Sequence, residues 1–256
     1  MLRSVLPGFI KKILFGDREK FGLVPKKDDL CWLEWEKSYY DFYSDNQKKS
    51  IGKIVNDAGY RVLKKIDWSG KKVLEIGPGE IAYLDYIPQG NTLFYLVDIR
   101  QNMLDKSSKK IKERGFGVEA THIEKGYSKL PFSDESFDVV ISFYSLEHIY
   151  PLEPYLMELK RVLKTGGILV GAIPLEGGLA WGLGRFFTSR RWFKKNTTID
   201  PDKIICWEHP NFADEIRNSL EKCFGRGTIK LWPFPFLLPR DFNLIEKFIF
   251  RKGDVV

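Results

Sequence analysis

The rhythm of apolar positions changes near Lys71. Between Asp45 and Asp67, Ile51, Ile54, Val55, Ala58, Val62, Leu63 and Ile66 return every three or four positions, which predicts one amphipathic helix with a core-facing stripe. Downstream, short apolar runs alternate with helical stretches. Val73 to Ile76 reads as a strand that runs into the turn Gly77-Pro78-Gly79, and Leu93 to Val97 as a second strand ending at Asp98. A helix is predicted over Met103 to Ile111, a weak strand over Val118 to Ile123 and a strong one over Phe137 to Ser142. The pattern continues with a helix over Leu152 to Leu163, closed by Thr165-Gly166-Gly167, and a strand over Gly167 to Ile173.

This alternation predicts the α/β class, a doubly wound, Rossmann-like parallel sheet covered on both faces. After Pro174 a Gly- and aromatic-rich insertion runs to about Trp207, followed by a helix with Phe212, Ile216, Leu220 and Phe224 on one side. The last strands, Thr228 to Phe236 and Leu244 to Phe250, have too short a link for a helical crossover and should pair antiparallel. Pro233 and Pro235 push the first of them to an edge or shorten it. The expected organisation is an N-terminal helical cap (1–68), a nucleotide-binding core (69–174) and a lid insertion with closing strands (175–256) that complete the same domain.

Composition narrows the class. The 256 residues are 43% hydrophobic and 14% aromatic, enough for a substantial core. Cys31, Cys206 and Cys223 are odd in number and in no CxxC spacing, and His122, His148 and His209 are scattered, which excludes a disulfide framework and a zinc knuckle and points to a reducing, cytoplasmic compartment. No apolar run approaches the ~18–20 residues of a spanning helix, and Lys11 and Lys12 interrupt any secretory leader. The net charge of +7 is uneven: residues 1–68 carry 14 Lys/Arg against 10 Asp/Glu, 69–174 carry 13 against 14, and 175–256 carry 14 against 10. A neutral middle argues against a nucleic-acid groove and leaves the two flanks to meet phosphates or anionic lipid.

The strand-to-turn segment Val73-Leu74-Glu75-Ile76-Gly77-Pro78-Gly79, with Asp98 at the tip of the next strand, suits an adenosine cofactor. Glycines allow a sharp turn and close approach, and the acid accepts hydrogen bonds from ribose hydroxyls. Gly77-x-Gly79-x-x-Ala82 also satisfies a relaxed dinucleotide fingerprint. Glu75, ionisable where a dinucleotide-binding strand is normally apolar, favours a cofactor with a cationic amino-acid tail.

Here the sequence resembles the class I S-adenosylmethionine-dependent methyltransferases, in the type 11 branch that includes the ubiquinone and menaquinone enzymes. The resemblance covers about Lys71 to Pro174. It rests on the glycine segment, on Leu96-Val97-Asp98, on Leu130-Pro131-Phe132-Ser133-Asp134-Glu135-Ser136-Phe137-Asp138-Val139-Val140, on Leu146-Glu147-His148, and on Leu159 to Gly167. It implies a seven-stranded sheet with an antiparallel last strand and S-adenosyl-L-methionine as cofactor. Gly77, Pro78 and Gly79 would pack against the methionine portion, Glu75 would hold the turn and the amino group, Asp98 would bind the ribose, and Ile99 would cover adenine. Phe143 and Tyr144 would line the pocket near the sulfonium. Relatives often place an acid four positions before Leu-Pro-Phe; here that position is Gly126, followed by Tyr127, which passes adenine recognition to backbone groups or to Ser128. Some quinone-type relatives carry an extra carboxylate where this chain has Tyr144, so no metal is expected.

An aliphatic hydroxyl acceptor calls for a general base near neutral pKa. His148 is the first candidate and His209, in Glu208-His209-Pro210-Asn211, the second; each also has a structural reading, as a loop-positioning residue. From Trp181 to Lys195, Arg185, Arg190, Arg191, Lys194 and Lys195 interleave with Trp181, Phe186, Phe187, Trp192 and Phe193, with no acid. That run reads as a lid over an anionic acceptor with Arg185, Arg190 and Arg191 as its grips, or as a solvated basic face whose aromatics plug the core beneath. Tyr43, with Tyr39 and Tyr40, precedes the long helix and is placed over the acceptor or in the core. Phe9, Ile10, Ile13 and Leu14 beside Lys11 and Lys12 admit peripheral membrane contact or packing on the protein's own core.

The sequence therefore reads as a methyltransferase, with O-methylation of a saccharide or lipid-linked glycan in surface polysaccharide biosynthesis as the preferred reaction, since segments 173–185 and 208–211 look like those of methyltransferases encoded among surface-polysaccharide genes. Methylation of a quinone or other lipid-like ring is the alternative within the class. An NAD(P)-binding oxidoreductase and a non-catalytic cofactor-binding adaptor are the alternatives outside it.

Overall fold

A computed structural model describes residues 1–37, 51–79, 81–124 and 129–253. Seven strands form one sheet: β1 (Lys72–Ile76), β2 (Leu93–Asp98), β3 (Gly117–His122), β4 (Phe137–Phe143), β5 (Leu163–Pro174), β6 (Thr228–Trp232) and β7 (Ile245–Arg251), in the order β3-β2-β1-β4-β5-β7-β6. Strands β1 to β5 pair in parallel, and β7 runs antiparallel between β5 and β6. The order reverses at β1/β4, and in open α/β sheets the crevice beyond the strand ends at such a reversal is where ligands bind.

Alternation along β1 sets the layers. Val73 joins one buried cluster with Phe94, Leu96, Val139 and Ile141, while Leu74 and Ile76 join the other with Leu156, Leu159, Ile216 and Leu220. Helices α4 (Ile51–Tyr60) and α5 (Gln101–Glu113) cover the first face; α6 (Leu152–Val162) and α10 (Ala213–Phe224) cover the second. Gly171 allows the closest strand approach, since a Cβ there would lie 1.8 Å from the Ser142 carbonyl oxygen.

Two helix ends differ from the sequence expectation, and the prolines act on the edge strand as expected. The long helix stops at Tyr60 and tightens into a 3-10 turn over Arg61–Lys65. Helix α6 stops at Val162, and Thr165-Gly166-Gly167 belongs to β5: Gly166, at φ +75, forms an irregularity inside the strand where the β4 register shifts. The strand at the edge is β6, and it ends at Trp232 because Pro233 has no N–H to extend the ladder.

Helices from both flanks interlock beyond the end of β5. They are α1 (Gly8–Phe15), α2 (Arg18–Phe21) and α3 (30–37) from the N-terminal side, with α7 (Leu179–Phe187), α8 (Ser189–Asn196) and α9 (Pro201–Glu208) from the insertion. Trp32 and Trp35 pack with Phe193, Ile204 and Trp207. Leu14 and Phe15 pack with Phe212, and Gly182 admits them, since its Cβ would lie 2.7 Å from the Phe15 ring.

Candidate active site

The glycine turn follows directly from β1. Gly77 and Gly79 take φ values of +63 and +53, which favour glycine, and a Cβ on Gly79 would meet nothing within 4 Å, so the turn borders open space. Glu75 points into the first core layer, where it accepts the Tyr83 hydroxyl. Burial pushes its carboxyl up to about 8 against the lowering effect of that hydrogen bond, so the buried acid is held largely protonated near neutral pH. Asp98, buried at the tip of β2, accepts the Arg100 N–H at 2.9 Å, and burial raises its pKa. Ile99 beside it is exposed. A buried carboxylate at the second strand end beside an exposed apolar residue fits a ribose and its base, and the open Gly79 turn fits a chain that must approach the backbone closely.

Other residues expected at this pocket fall differently. Phe143 packs in a ring cluster with Tyr60 and Tyr83, and the Tyr144 hydroxyl donates to the Asn56 carbonyl at 3.0 Å, so both brace α4 against the sheet. Ser128, Gly126, Tyr127 and Tyr43 lie outside the described residues. Sequence reading missed Ser145. Its Cβ would stand 3.4 Å from a Cβ at Gly77, its Oγ bonds Ser142 Oγ at 2.7 Å, and its carbonyl accepts the His148 N–H at 3.0 Å. Its place just ahead of Leu-Glu-His, beyond the end of a buried strand, is the signal that was available.

Through Ser145 the glycine turn connects to a polar cluster built from two distant segments. The rings of His148 and His209 pack against each other with centroids 4.7 Å apart and planes tilted by 48°. His148 Nδ1 lies 2.5 Å from the Glu208 carbonyl oxygen. A carbonyl only accepts, so Nδ1 carries a proton, and Nε2 lies 3.9 Å from Glu147 Oε1. His209 Nδ1 lies 3.1 Å from Glu176 Oε1, and burial holds His209 below the usual histidine range. Glu147 is buried with Oε2 lacking a hydrogen-bond partner, and burial pushes its carboxyl up to about 8. Asn211 ties the two segments together, its amide donating to the Leu146 and Ile149 carbonyls at 3.0 and 2.6 Å.

The basic run is corrected. Arg185 is ion-paired with buried Glu176, where burial would raise the carboxyl but Arg185 and His209 hold it well below the usual range. Arg190 is itself buried and paired with Asp202. Both acids lie outside the run Trp181 to Lys195, so its apparent lack of counter-charge was local to the sequence. Arg191 alone of the three stays exposed, its guanidinium 5.0 Å from the Phe187 ring centroid. Among the described residues no group of three or more His, Cys, Asp and Glu is arranged to hold a metal ion, and no helix is long and apolar enough to cross a membrane.

Comparison with known proteins agrees with this geometry. The family model described as "Methyltransferase domain" matches residues 74–171. A ubiquinone/menaquinone biosynthesis C-methyltransferase of Rhizobium etli is 28% identical over 134 residues, which cover 51% of this chain and 52% of that protein; the chain thus matches about half the length of the curated relative. A protein of Pyrococcus horikoshii OT3 superposes with TM-score 0.57 at 18% identity, covering 84% of this chain and 99% of that one. A SAM-dependent methyltransferase from Aquifex aeolicus superposes with TM-score 0.52 at 18% identity, covering 82% and 97%. The solved structures share the fold that the strand order describes, and the family model places residues 74–171 in the methyltransferase domain family, whose implied cofactor is S-adenosylmethionine.

Proposed function

We propose that the chain methylates a hydroxyl-bearing small molecule, a saccharide or lipid-linked glycan, with His148 as general base. One observation carries the reading: a backbone carbonyl takes the His148 Nδ1 proton, so that the neutral ring would present Nε2 as its acceptor, and Ser145 bridges that histidine to the glycine turn. S-adenosylmethionine supplies an electrophilic sulfonium methyl group when bound. Gly77, Pro78 and Gly79 would hold its methionine portion, Glu75 the turn beneath, Asp98 the ribose and Ile99 one face of adenine. His148 Nε2 would take the hydroxyl proton as the acceptor oxygen is alkylated, and His209 would keep the ring in place by tilted ring packing. Arg185 acts through Glu176, which fixes His209, so it is a positioning residue.

An acceptor carried by lipid, met at the cytoplasmic membrane surface, is supported by apolar side chains turned to solvent on three adjoining elements. These are Phe9 and Ile13 on α1, Leu183 and Phe187 on α7, and Phe236 and Leu237 in the β6–β7 link, the last two 95% and 82% exposed. Arg191, Lys194 and Lys195 follow α7 and suit an anionic surface. The link joins α7 and the N-terminal segment through Asp241, whose Oδ1 accepts the Leu2 N–H at 2.9 Å. Membership of the curated relative in ubiquinone and menaquinone biosynthesis favours a second reading, methylation of a quinone ring carbon, in which His148 would deprotonate a ring hydroxyl.

Product analysis with methyl-labelled cofactor and fractionated acceptors tests both. Label in an acid-stable O-methyl ether of a sugar is the expected result; label on a quinone ring carbon selects the second reading. Cofactor binding without transfer to any fraction would leave neither.

A further inference from the structure

The two flanks that hold the excess positive charge meet at the outer edge of the sheet, far from the histidine pair. Arg61 and Lys65 come from the 3-10 turn after α4, and Lys230 and Lys247 from β6 and β7. With Val62, Thr228 and Ile249 they line a recess of ≈ 50 Å³. Lys230 and Lys247 stand directly opposite each other in the antiparallel register, an arrangement that is destabilising for like charges. Lys247 is half-buried, so water shields it poorly.

The neighbours of these lysines offer no relief. The pKa of Lys65 is lowered by the close approach of the Lys230 cation, then by desolvation and by Lys247; that of Lys247 is lowered by burial, then by Arg61 and Lys230. No carboxylate among the described residues enters either environment. Elsewhere the chain pairs its buried cations with acids, as at Arg185–Glu176, Arg190–Asp202 and Arg240–Glu246, whereas here half-buried Lys247 meets the exposed cations Arg61, Lys65 and Lys230. Four cations converging on one recess with a hydroxyl and apolar walls form the counterpart of a compact anion with several acceptor oxygens.

We propose that the recess between Arg61–Lys65 and the β6–β7 edge binds a phosphoryl group, with Arg61, Lys65, Lys230 and Lys247 as its charge partners and Thr228 as a hydroxyl donor. The small volume of the recess suits one tetrahedral head. Strands β5 and β7 separate it from the β1/β4 crevice, so it is independent of the methyl-transfer reading. The group belongs either to a soluble phosphate ester or to the head of an anionic lipid.

The test is thermal unfolding of the full chain in sodium phosphate against sodium chloride at matched ionic strength, with glycerol phosphate as a second probe. The wild type should melt higher in phosphate and in glycerol phosphate. Lys230→Gln/Lys247→Gln should bind phosphate about tenfold or more weakly, since each charged contact is worth a factor of that order. The same variant should melt no lower than wild type in chloride, because it loses only a repulsive pair. Flotation with phosphatidylcholine vesicles, with and without phosphatidic acid, separates the sources. A phosphatidic-acid-dependent increment lost in the variant assigns the lipid head; a phosphate shift without that increment assigns the soluble ester. Equal melting in phosphate and chloride, or an unchanged phosphate shift in the variant, overturns the proposal.

Discussion

Arg185→Met separates the two roles open to that arginine. Its guanidinium meets Glu176, whose side chain is 3% exposed, while the arginine side chain is 13% exposed. Removing one partner of a buried pair leaves the other charge uncompensated and costs about 3–5 kcal/mol. The cost depends on pH with a definite sign. In the wild type the Glu176 carboxyl is held below its ordinary 4.5, so its contribution to stability is present above about pH 4.5 and is lost as pH falls through the lower, folded value. In the variant, burial without Arg185 raises the same carboxyl, so each pH unit below the new value removes up to about 1.4 kcal/mol of the deficit. Urea unfolding of both proteins near pH 7 and near pH 5 measures this, and Arg185→Met/Glu176→Gln should recover most of the loss by removing both charges. A deficit under about 1 kcal/mol that is flat with pH, together with a raised acceptor KM, would refute the reasoning and return Arg185 to the role of a free anion grip.

Other outcomes follow from the same geometry. His148→Gln should lower turnover ~10²–10⁴-fold with cofactor affinity unchanged, measured by initial rates and calorimetry; full activity would remove the base. Asp98→Ala should weaken cofactor binding by ~1.5–3 kcal/mol, read by calorimetry, as expected for lost hydrogen bonds to a charged group. Gly77→Ala forces a side chain to φ +63 against Ser145, and should cost ~1–2 kcal/mol in unfolding experiments and impair cofactor binding. The Glu147 carboxyl, raised from 4.5 to about 8, contributes stability fully present below about pH 4.5 and lost as pH rises through about 8. Glu147→Gln should therefore flatten the pH dependence of the melting temperature between those limits.

Much of the sheet was legible because β1, β2 and β4 are short apolar runs that stop at or beside Gly77, Asp98 and Ser142, and because alternating helices leave few topologies. The closing pair was legible from the shortness of its link. Gly166 was misread for a physical reason: a glycine with positive φ serves a helix stop and a strand irregularity equally well, and only the β4 register distinguishes them. The glycine turn and Asp98 were read from spacing alone. The cluster of His148 and His209 was named residue by residue, but its juxtaposition was not, since contact between segments 60 residues apart follows from the packing of α9 and α10. The basic run misled because Glu176 and Asp202 lie just outside it.

The paired imidazoles differ in access to bulk water: His148 is exposed and His209 is half-buried. If the outer ring collects the proton, discharge runs straight to solvent or to a buffer molecule at the mouth. The helices from the two flanks would then have no part in relaying protons, and catalytic cycles would reset without their parting. Rates would respond to the concentration of small imidazole buffers once the outer ring is replaced, a chemical rescue that a deeply placed base would not permit.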